Sequence, residues 1–218
     1  MCGKFTQRPA WADETDFVAL LSSQTGPVEV ETITPMRFAS VLLLLDGGVR
    51  AVRRMRWGWA RRGDAAPGNI PHHIHARAET IDTLPTFAEA FRERRGLLMA
   101  RTFNEGREVT AKRTEQHTIT PRDGRPVGIA VLWECWQRGG GEELYTFVMA
   151  TTPPNALIGT ITDRMPAVLP PGQWAKWLGE EPAHPAELKA MLMPFEGDWD
   201  MAPEYKPARR AAGQGSLF

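Results

Sequence analysis

A cysteine stands at position 2 of this chain, directly before Gly3, and Cys135 is the only other cysteine among the 218 residues. If Met1 is removed, Cys2 carries an α-amine and a thiol on adjacent carbons. The pKa of an α-amine is about 7.7–8.0, so part of it is uncharged near neutral pH and can add to an aldehyde. The thiol can then close a five-membered ring on the same carbon, with the rate advantage of an intramolecular reaction. The alternative is an ordinary buried thiol.

Glu105 and a group of histidines are the next candidates for chemistry. Glu105 could act as a general acid or base if burial raises its pKa, whereas a surface turn is the alternative for a glutamate next to glycine. The residues His72, His73 and His75 suggest a metal site. A zinc site requires further ligands at regular spacing, and only Glu79 is near in the sequence, so we expect no metal and no cofactor.

The elements that must position these residues follow from the hydrophobic pattern. An apolar stripe predicts a helix over residues 11–23. The segment 41–57 (VLLLL-DGG-VRAVRRMRW) predicts a β-hairpin whose turn uses Gly47 and Gly48, and the segment 117–136 (HTIT-PRDGRP-VGIAVLWECW) predicts a second one. Further strands are predicted at 96–103 and 144–152, and short helices at 86–95, 170–178 and 185–193.

The chain has an ordinary globular composition, with 42% hydrophobic and 24% charged residues, and its 18 prolines and 20 glycines indicate many turns. We therefore expect one α+β domain over residues 1–203, in which mainly antiparallel strands form a curved sheet or barrel and helices pack outside. Residues 204–218 lack an apolar stripe, which predicts a loosely ordered C-terminal tail.

The number of cysteines and the distribution of charge limit the possible cellular location and binding partners of the protein. Two cysteines give no disulfide framework, no secretory signal precedes the first predicted helix, and the longest aliphatic run, at 41–45, is too short to cross a membrane. We expect a cytoplasmic protein. Residues 37–125 carry 17 Lys/Arg against 10 Asp/Glu, whereas residues 126–204 carry 4 against 11. This segregation suits a basic face for phosphates, unless the two halves neutralise each other in the fold.

Several segments resemble, in order and spacing, the signature motifs of the SRAP family (SOS response-associated peptidase domain), whose members crosslink to abasic sites in DNA. The resemblance extends over about residues 1–180 and is carried by MCGKF (1–5), RWGW (56–59), HARAET (75–80), FAEAFRERR (87–95), ARTFNEG (100–106), AVLWE (130–134) and ATTPPNALIGTITDRMPAVLP (150–170).

The resemblance implies an SRAP-like fold and a specific reaction. Met1 would be removed, and the amine and thiol of Cys2 would close a thiazolidine on the aldehyde of an abasic site in single-stranded DNA. Glu105, at the position of the family's glutamate, would serve as general acid and base.

Two positions depart from the family pattern. The family's asparagine in NARxET is His75 here, and its histidine in IHDRMP is Thr162. A threonine hydroxyl cannot take or release a proton near neutral pH, whereas an imidazole can. Either His75 supplies the titratable group from another wall of the site, or the site has lost its activity.

The basic and aromatic positions near these motifs are the expected DNA contacts. Arg77 and Arg164 match family positions, and Lys4 keeps the charge of the family's arginine without its bidentate geometry. Arg54 and Arg56 could extend the basic track. The DNA-binding set is completed by Trp59, which could stack on bases or pack in the core.

Three functions remain open from the sequence. The main hypothesis is covalent capture of abasic sites in single-stranded DNA through Cys2. The second is a thiol peptidase or autoprocessing amidohydrolase, in which Cys2 attacks an amide and an oxyanion hole is required. The third is a non-catalytic module that binds single-stranded DNA. A monomer with no membrane partner is expected in each case.

Overall fold

The computed structural model describes residues 2–12, 14–21, 29–68, 73–110, 113–138 and 141–204. Within these residues the strands are β1 (Lys4–Gln7), β2 (Glu31–Ile33), β3 (Phe38–Leu45), β4 (Val49–Trp57), β5 (His75–Arg77), β6 (Arg95–Ala100), β7 (Thr102–Thr110), β8 (Arg113–Pro121), β9 (Val127–Arg138), β10 (Glu142–Thr152), β11 (Met165–Pro166), β12 (Val168–Leu169) and β13 (Trp199–Pro203). The α-helices are α1 (Phe17–Leu21), α2 (Ala88–Glu93), α3 (Trp174–Leu178) and α4 (Pro185–Ala190), and short 3-10 turns cover Pro9–Ala12, Ile158–Thr160 and Pro171–Gln173.

Five of the strands form a closed barrel. They pair in the order β10-β4-β3-β6-β9, and β9 also pairs with β10, which closes the ring. A ring with an odd number of strands cannot be antiparallel throughout. The parallel pair that this requires is β4 with β10, where Arg56 lies opposite Thr146 and Trp57 opposite Phe147, and the other ring pairs are antiparallel.

The alternation of side chains along the barrel strands builds two cores. On β3, Val41 and Leu43 belong to one buried cluster, whereas Leu42 between them belongs to the other. The Leu42 cluster also contains Phe91 of α2 and Trp177 of α3, so it lies between the barrel wall and the helices. Because helices cannot fit inside a five-stranded ring, this is the outer face, and the Val41 cluster fills the interior.

A second sheet covers the barrel interior from one side. Its strand order is β13-β8-β7-β1-β2, and all its pairs are antiparallel. Phe5 of β1, Phe103 of β7 and Ile119 of β8 are fully buried and belong to the same cluster as the barrel interior. This packing holds β1 and β7, which carry the candidate site residues, against the barrel. The predicted α+β fold, with mainly antiparallel strands and helices packed outside, is confirmed.

One predicted hairpin is confirmed and the other is wrong. β3 and β4 form the hairpin of residues 41–57, with positive φ at Gly47 and Gly48. β8 and β9 do not pair with each other: β8 pairs with β7 and β13, and β9 pairs with β6, β10 and β12. β9 is apolar on both faces, as a covered barrel wall requires. Polar residues occupy alternate positions of β8 (Thr114, Gln116, Thr118 and Thr120), which suits a sheet covered on one face.

The N-terminal helix is shorter than predicted. The 3-10 turn Pro9–Ala12 precedes α1, which begins only at Phe17, while residues 13, 22 and 23 of the predicted helix lie outside the described part of the chain. Of the predicted tail, Glu204 is described and residues 205–218 are not.

A tight turn joins β2 to β3. The Arg37 N–H donates to the Thr34 carbonyl oxygen at 3.0 Å, which closes a turn with Pro35 and Met36 at its centre. Met36 has φ of 70°, a left-handed conformation that glycine normally supplies after proline in such a turn. Its N–H donates to the carbonyl oxygen of Trp57 at 2.8 Å, so the turn is fixed to the end of β4.

Candidate active site

Cys2 lies immediately before β1, and only 1% of its surface is exposed. Its thiol donates a hydrogen bond to the Lys4 carbonyl oxygen at 3.4 Å. Burial raises the pKa of the Cys2 thiol above its ordinary value, and the nearby Glu105 carboxylate raises it further. The thiol is therefore protonated at neutral pH, and a reaction through the sulfur requires a neighbouring group that takes the proton.

β7 brings Glu105 next to Cys2. Lys4 lies opposite Asn104 in the pair of β1 with β7, so the chain that precedes Lys4 runs along Glu105. Glu105 is fully buried, and burial raises its pKa to about 7, with a contribution from the charge of Asp163. The backbone of Cys2 lies within hydrogen-bonding reach of the carboxylate. A carboxyl group with this pKa can both give and take a proton near neutral pH.

His75 reaches Cys2 from the barrel side. It lies opposite Met149 in the parallel pair of β5 with β10, and its ring meets that of Trp57 edge-on, with 6.1 Å between centroids. Burial lowers the pKa of His75 to about 4, and the imidazole interacts with the Cys2 backbone. The ring is therefore neutral at physiological pH. Its Nε2 is buried and has no hydrogen-bond partner among the described residues.

Arg164 is tied into the wall of the site. Its guanidinium is buried, forms a two-pronged ion pair with Glu79, with 2.9 Å between Nη2 and Oε2, and donates to the Thr151 carbonyl oxygen at 2.6 Å. The ion pair lowers the pKa of Glu79, and the charge of Arg77 contributes. Arg77 itself is exposed. Arg164 therefore orders the loop before β11, while Arg77 faces solvent.

The loop that contains Thr162 borders Glu105. Thr162 is half-buried, and its backbone N–H donates to the Ile158 carbonyl oxygen at 3.1 Å. The next residue, Asp163, is exposed, and its charge acts on the Glu105 carboxyl group. Thr162 therefore lies near the site, but its hydroxyl does not take or release a proton near neutral pH.

Two of the predicted DNA-binding cations form ion pairs at the surface. The Lys4 ammonium pairs with Glu204, the residue after β13. Arg54 is half-exposed and pairs with Glu31 of β2 at 3.3 Å. Both pairs are accessible to water, so each is weak and leaves the cation available to a phosphate.

Arg56 and Trp59 occupy structural positions. Arg56 is buried and donates to the carbonyl oxygens of Pro67 at 2.6 Å and Gly68 at 3.1 Å, which fixes the loop after β4. Trp59 is 6% exposed and packs edge-on against Phe87, with 5.4 Å between centroids. Neither side chain presents a free charge or ring face to a nucleic acid.

The sequence did not single out three residues that lie around this site. They are Asp163, whose charge reaches Glu105, His117, which lies opposite Glu105 in the pair of β7 with β8, and Glu204, which pairs with Lys4. Asp163 stands in the same motif as Thr162, and that adjacency could have indicated it. The other two become neighbours of the site only through the pairing of β8 with β7 and β13, which no motif in the sequence indicates.

No group of three or more His, Cys, Asp or Glu side chains that could hold a metal occurs among the described residues. His73 is exposed, and His72 lies outside the described residues. In the same part of the chain, no helix is long and apolar enough to cross a membrane.

Comparisons with known proteins identify the family. A family model described as "SOS response associated peptidase (SRAP)" matches residues 1–206. The chain is 29% identical over 203 residues to the abasic site processing protein YoaM of Bacillus subtilis, covering 91% of this chain and 88% of the relative. It is 28% identical over 191 residues to the abasic site processing protein YedK of Escherichia coli, covering 83% and 81%.

A solved structure shows the same fold. The crystal structure of a protein from Bacteroides thetaiotaomicron superimposes with a TM-score of 0.74 at 22% sequence identity, covering 93% of this chain and 91% of that one. The match of the family model over nearly the whole chain is decisive, and the chain belongs to the SRAP family.

Proposed function

We propose that this chain binds single-stranded DNA and captures abasic sites covalently through Cys2, after Met1 has been removed. The observation that carries the proposal is that Glu105, a buried carboxyl group with a pKa of about 7, and His75, a neutral imidazole, both interact with the backbone of Cys2. The chain also belongs to a family in which several relatives are named abasic site processing proteins.

The residues around Cys2 suit each step of thiazolidine formation. Glu105 can take the proton of the sugar's C1 hydroxyl and protonate the ring oxygen, which opens the ring to the aldehyde. The free amine then adds to the aldehyde carbon, and water leaves to give an imine. The sulfur adds to the imine carbon and the thiol proton passes to the nitrogen, so the net reaction releases one water.

His75 takes the place of the family's asparagine as a neutral hydrogen-bonding group. Because its pKa is about 4, the ring does not titrate near neutral pH. Its interaction with the Cys2 backbone holds the reacting residue, and the free Nε2 can bind a sugar oxygen. In this role His75 positions Cys2 and the sugar and does not transfer a proton.

For DNA, we propose that Arg77, Arg54 and Lys4 contact phosphates. Arg77 is exposed, and the other two form only weak surface pairs. Arg164 acts indirectly, because its ion pair with Glu79 orders the loop beside Glu105. Arg56 and Trp59 are left out of the DNA-binding set because both are buried in other contacts.

A thiol peptidase is less well supported. Such an enzyme attacks as a thiolate, whereas burial and the Glu105 carboxylate keep the Cys2 thiol protonated. The third function, DNA binding without chemistry, predicts binding that does not depend on Cys2.

Denaturing electrophoresis distinguishes the three functions. The protein that begins at Cys2 is incubated with a single-stranded oligonucleotide that carries one abasic site. We expect a band that resists denaturation, its loss in Cys2→Ala, and slower formation in Glu105→Gln. Binding without a resistant band would contradict covalent capture. Arg77→Gln should weaken binding of an intact oligonucleotide and reduce its salt dependence.

A further inference from the structure

His117 lies beside Glu105 on the neighbouring strand. The two residues are directly opposite each other in the antiparallel pair of β7 with β8. Directly opposite residues project from the same face of a sheet, with Cβ atoms about 4.5–5.5 Å apart. The next pair on that face is Phe103 with Ile119, and both are fully buried. Glu105 and His117 therefore extend the buried face of the sheet.

The register of this pair is well fixed. On the opposite face, the Asn104 side chain amide donates to the Thr118 hydroxyl at 2.9 Å, which joins the strands one residue away. The pairing becomes irregular only between Glu108 and Thr110. A shift of register that would separate Glu105 from His117 would also break the Asn104 bond.

His117 has hydrogen-bonding capacity that the fold does not use. The side chain is 9% exposed, and its Nδ1 is buried without a hydrogen-bond partner among the described residues. Buried polar atoms in folded proteins are nearly always bonded, so an exception calls for a functional reason. An imidazole nitrogen with a free lone pair or proton next to a catalytic carboxyl group is such a reason.

The other candidates for proton transfer are less suitable. His75 is held neutral by burial, and its pKa of about 4 removes it from exchange near neutral pH. Thr162 has only a hydroxyl. We propose that His117 is a positioning residue that relays protons to and from Glu105 during abasic-site capture, an inference that rests on the proposed function.

The relay balances over the reaction. Glu105 takes the proton of the C1 hydroxyl as the sugar ring opens and gives it to the ring oxygen. After the amine adds to the aldehyde, a proton leaves the nitrogen of the adduct through Glu105 and is held on His117 Nδ1. It returns through Glu105 to the hydroxyl of the adduct when that hydroxyl leaves as water. The relay ends in its starting state, and no other reactant is needed.

Other charged or titratable groups near the pair shape its pH dependence. They are Cys2 before β1, His75 on β5, and Asp163 and Arg164 in the loop before β11. Lys4 and Glu204 lie on the opposite face of the sheet, because Lys4 is opposite Asn104 and Glu204 follows Pro203, the partner of His117.

The test compares rates of adduct formation between pH 5.5 and 9 for proteins that begin at Cys2. His117→Gln keeps hydrogen bonding but cannot accept and return a proton, and we expect a loss of at least about tenfold with a flatter pH profile. Adding Thr162→His to this variant should restore much of the rate, because it supplies an imidazole next to Asp163, whose charge acts on Glu105. The matched control is His73→Gln, at an exposed loop histidine, which should leave rate and profile unchanged.

Two results would overturn the relay while leaving the proposed function intact. One is an H117Q protein with the wild-type rate and pH profile. The other is a uniform loss at every pH that Thr162→His does not restore, because a purely structural role produces that pattern. A wild-type protein that forms no adduct at all would overturn the proposed function, and the relay with it.

Discussion

Replacing Glu105 by glutamine should stabilise the protein at alkaline pH. Burial raises the pKa of Glu105 to about 7, from an ordinary value of 4.5. Between these values the unfolded chain is ionised while the folded chain stays protonated, so the wild type loses stability as pH rises from 4.5 to 7 and reaches a constant penalty above 7. At about 1.36 kcal/mol per pKa unit, this penalty is about 3 kcal/mol, and the neutral glutamine does not carry it.

Urea denaturation at several pH values measures this effect. Glu105→Gln and the wild type, with the same N-terminus, should have nearly equal free energies of unfolding below pH 4.5. At pH 8 the variant should be more stable by about 3 kcal/mol. The same variant should form the DNA adduct more slowly, so stability and activity change in opposite directions.

The control is Glu108→Gln, an exposed glutamate on the same strand. Its free energy of unfolding should change little at either pH. A stability difference for Glu105→Gln that is the same at pH 4 and pH 8 would contradict a pKa raised by burial, because it would show that the Glu105 carboxyl group has the same pKa in the folded and unfolded chains.

Three further changes test the surrounding structure by urea denaturation. Met36→Gly should raise the free energy of unfolding by about 0.5–1 kcal/mol, because relief of the left-handed strain exceeds the added entropy of the unfolded chain. A lower free energy of unfolding would show that the turn is not strained. Arg164→Met should lower the free energy of unfolding by about 2 kcal/mol and slow adduct formation, because the hydrogen bonds to Glu79 and to the Thr151 carbonyl oxygen are lost. Unchanged activity would show that the loop before β11 is ordered without these bonds. Gly128→Ala should cost about 1–3 kcal/mol, because a Cβ would lie 2.7 Å from the Trp174 ring; an unchanged stability would mean that this ring can move.

The fold class could be predicted because its signals are local. The alternation of apolar residues on β3 and β4 and the two glycines of their turn specify that hairpin without reference to the rest of the chain. The strands that close the barrel could not be predicted in this way. β8 and β9 are joined by a short turn that resembles a hairpin, yet they separate into different sheets because β9 needs cover on both faces. Such a choice depends on partners distant in the sequence.

The candidate site shows the same division. Cys2, Glu105 and His75 could be selected from motifs, and the structure places them together. Their protonation could not be predicted, because the pKa values of Glu105 and His75 depend on burial by strands from distant parts of the chain. For Arg56 and Trp59, the motif indicated DNA contacts that the packing does not favour. In the structure Arg56 binds the carbonyl oxygens of the loop after β4, and Trp59 packs against Phe87.

The intact mass of the covalent product shows whether Cys2 captures the abasic site through both its amine and its thiol. The protein that begins at Cys2 is mixed with an abasic single-stranded oligonucleotide, and the adduct is analysed without any reductant. We expect one product whose mass is the sum of protein and oligonucleotide minus one water, and no such product from a chain that retains Met1. An adduct of equal yield with Met1 retained would contradict capture by the amine of Cys2, because that amine would then be part of a peptide bond.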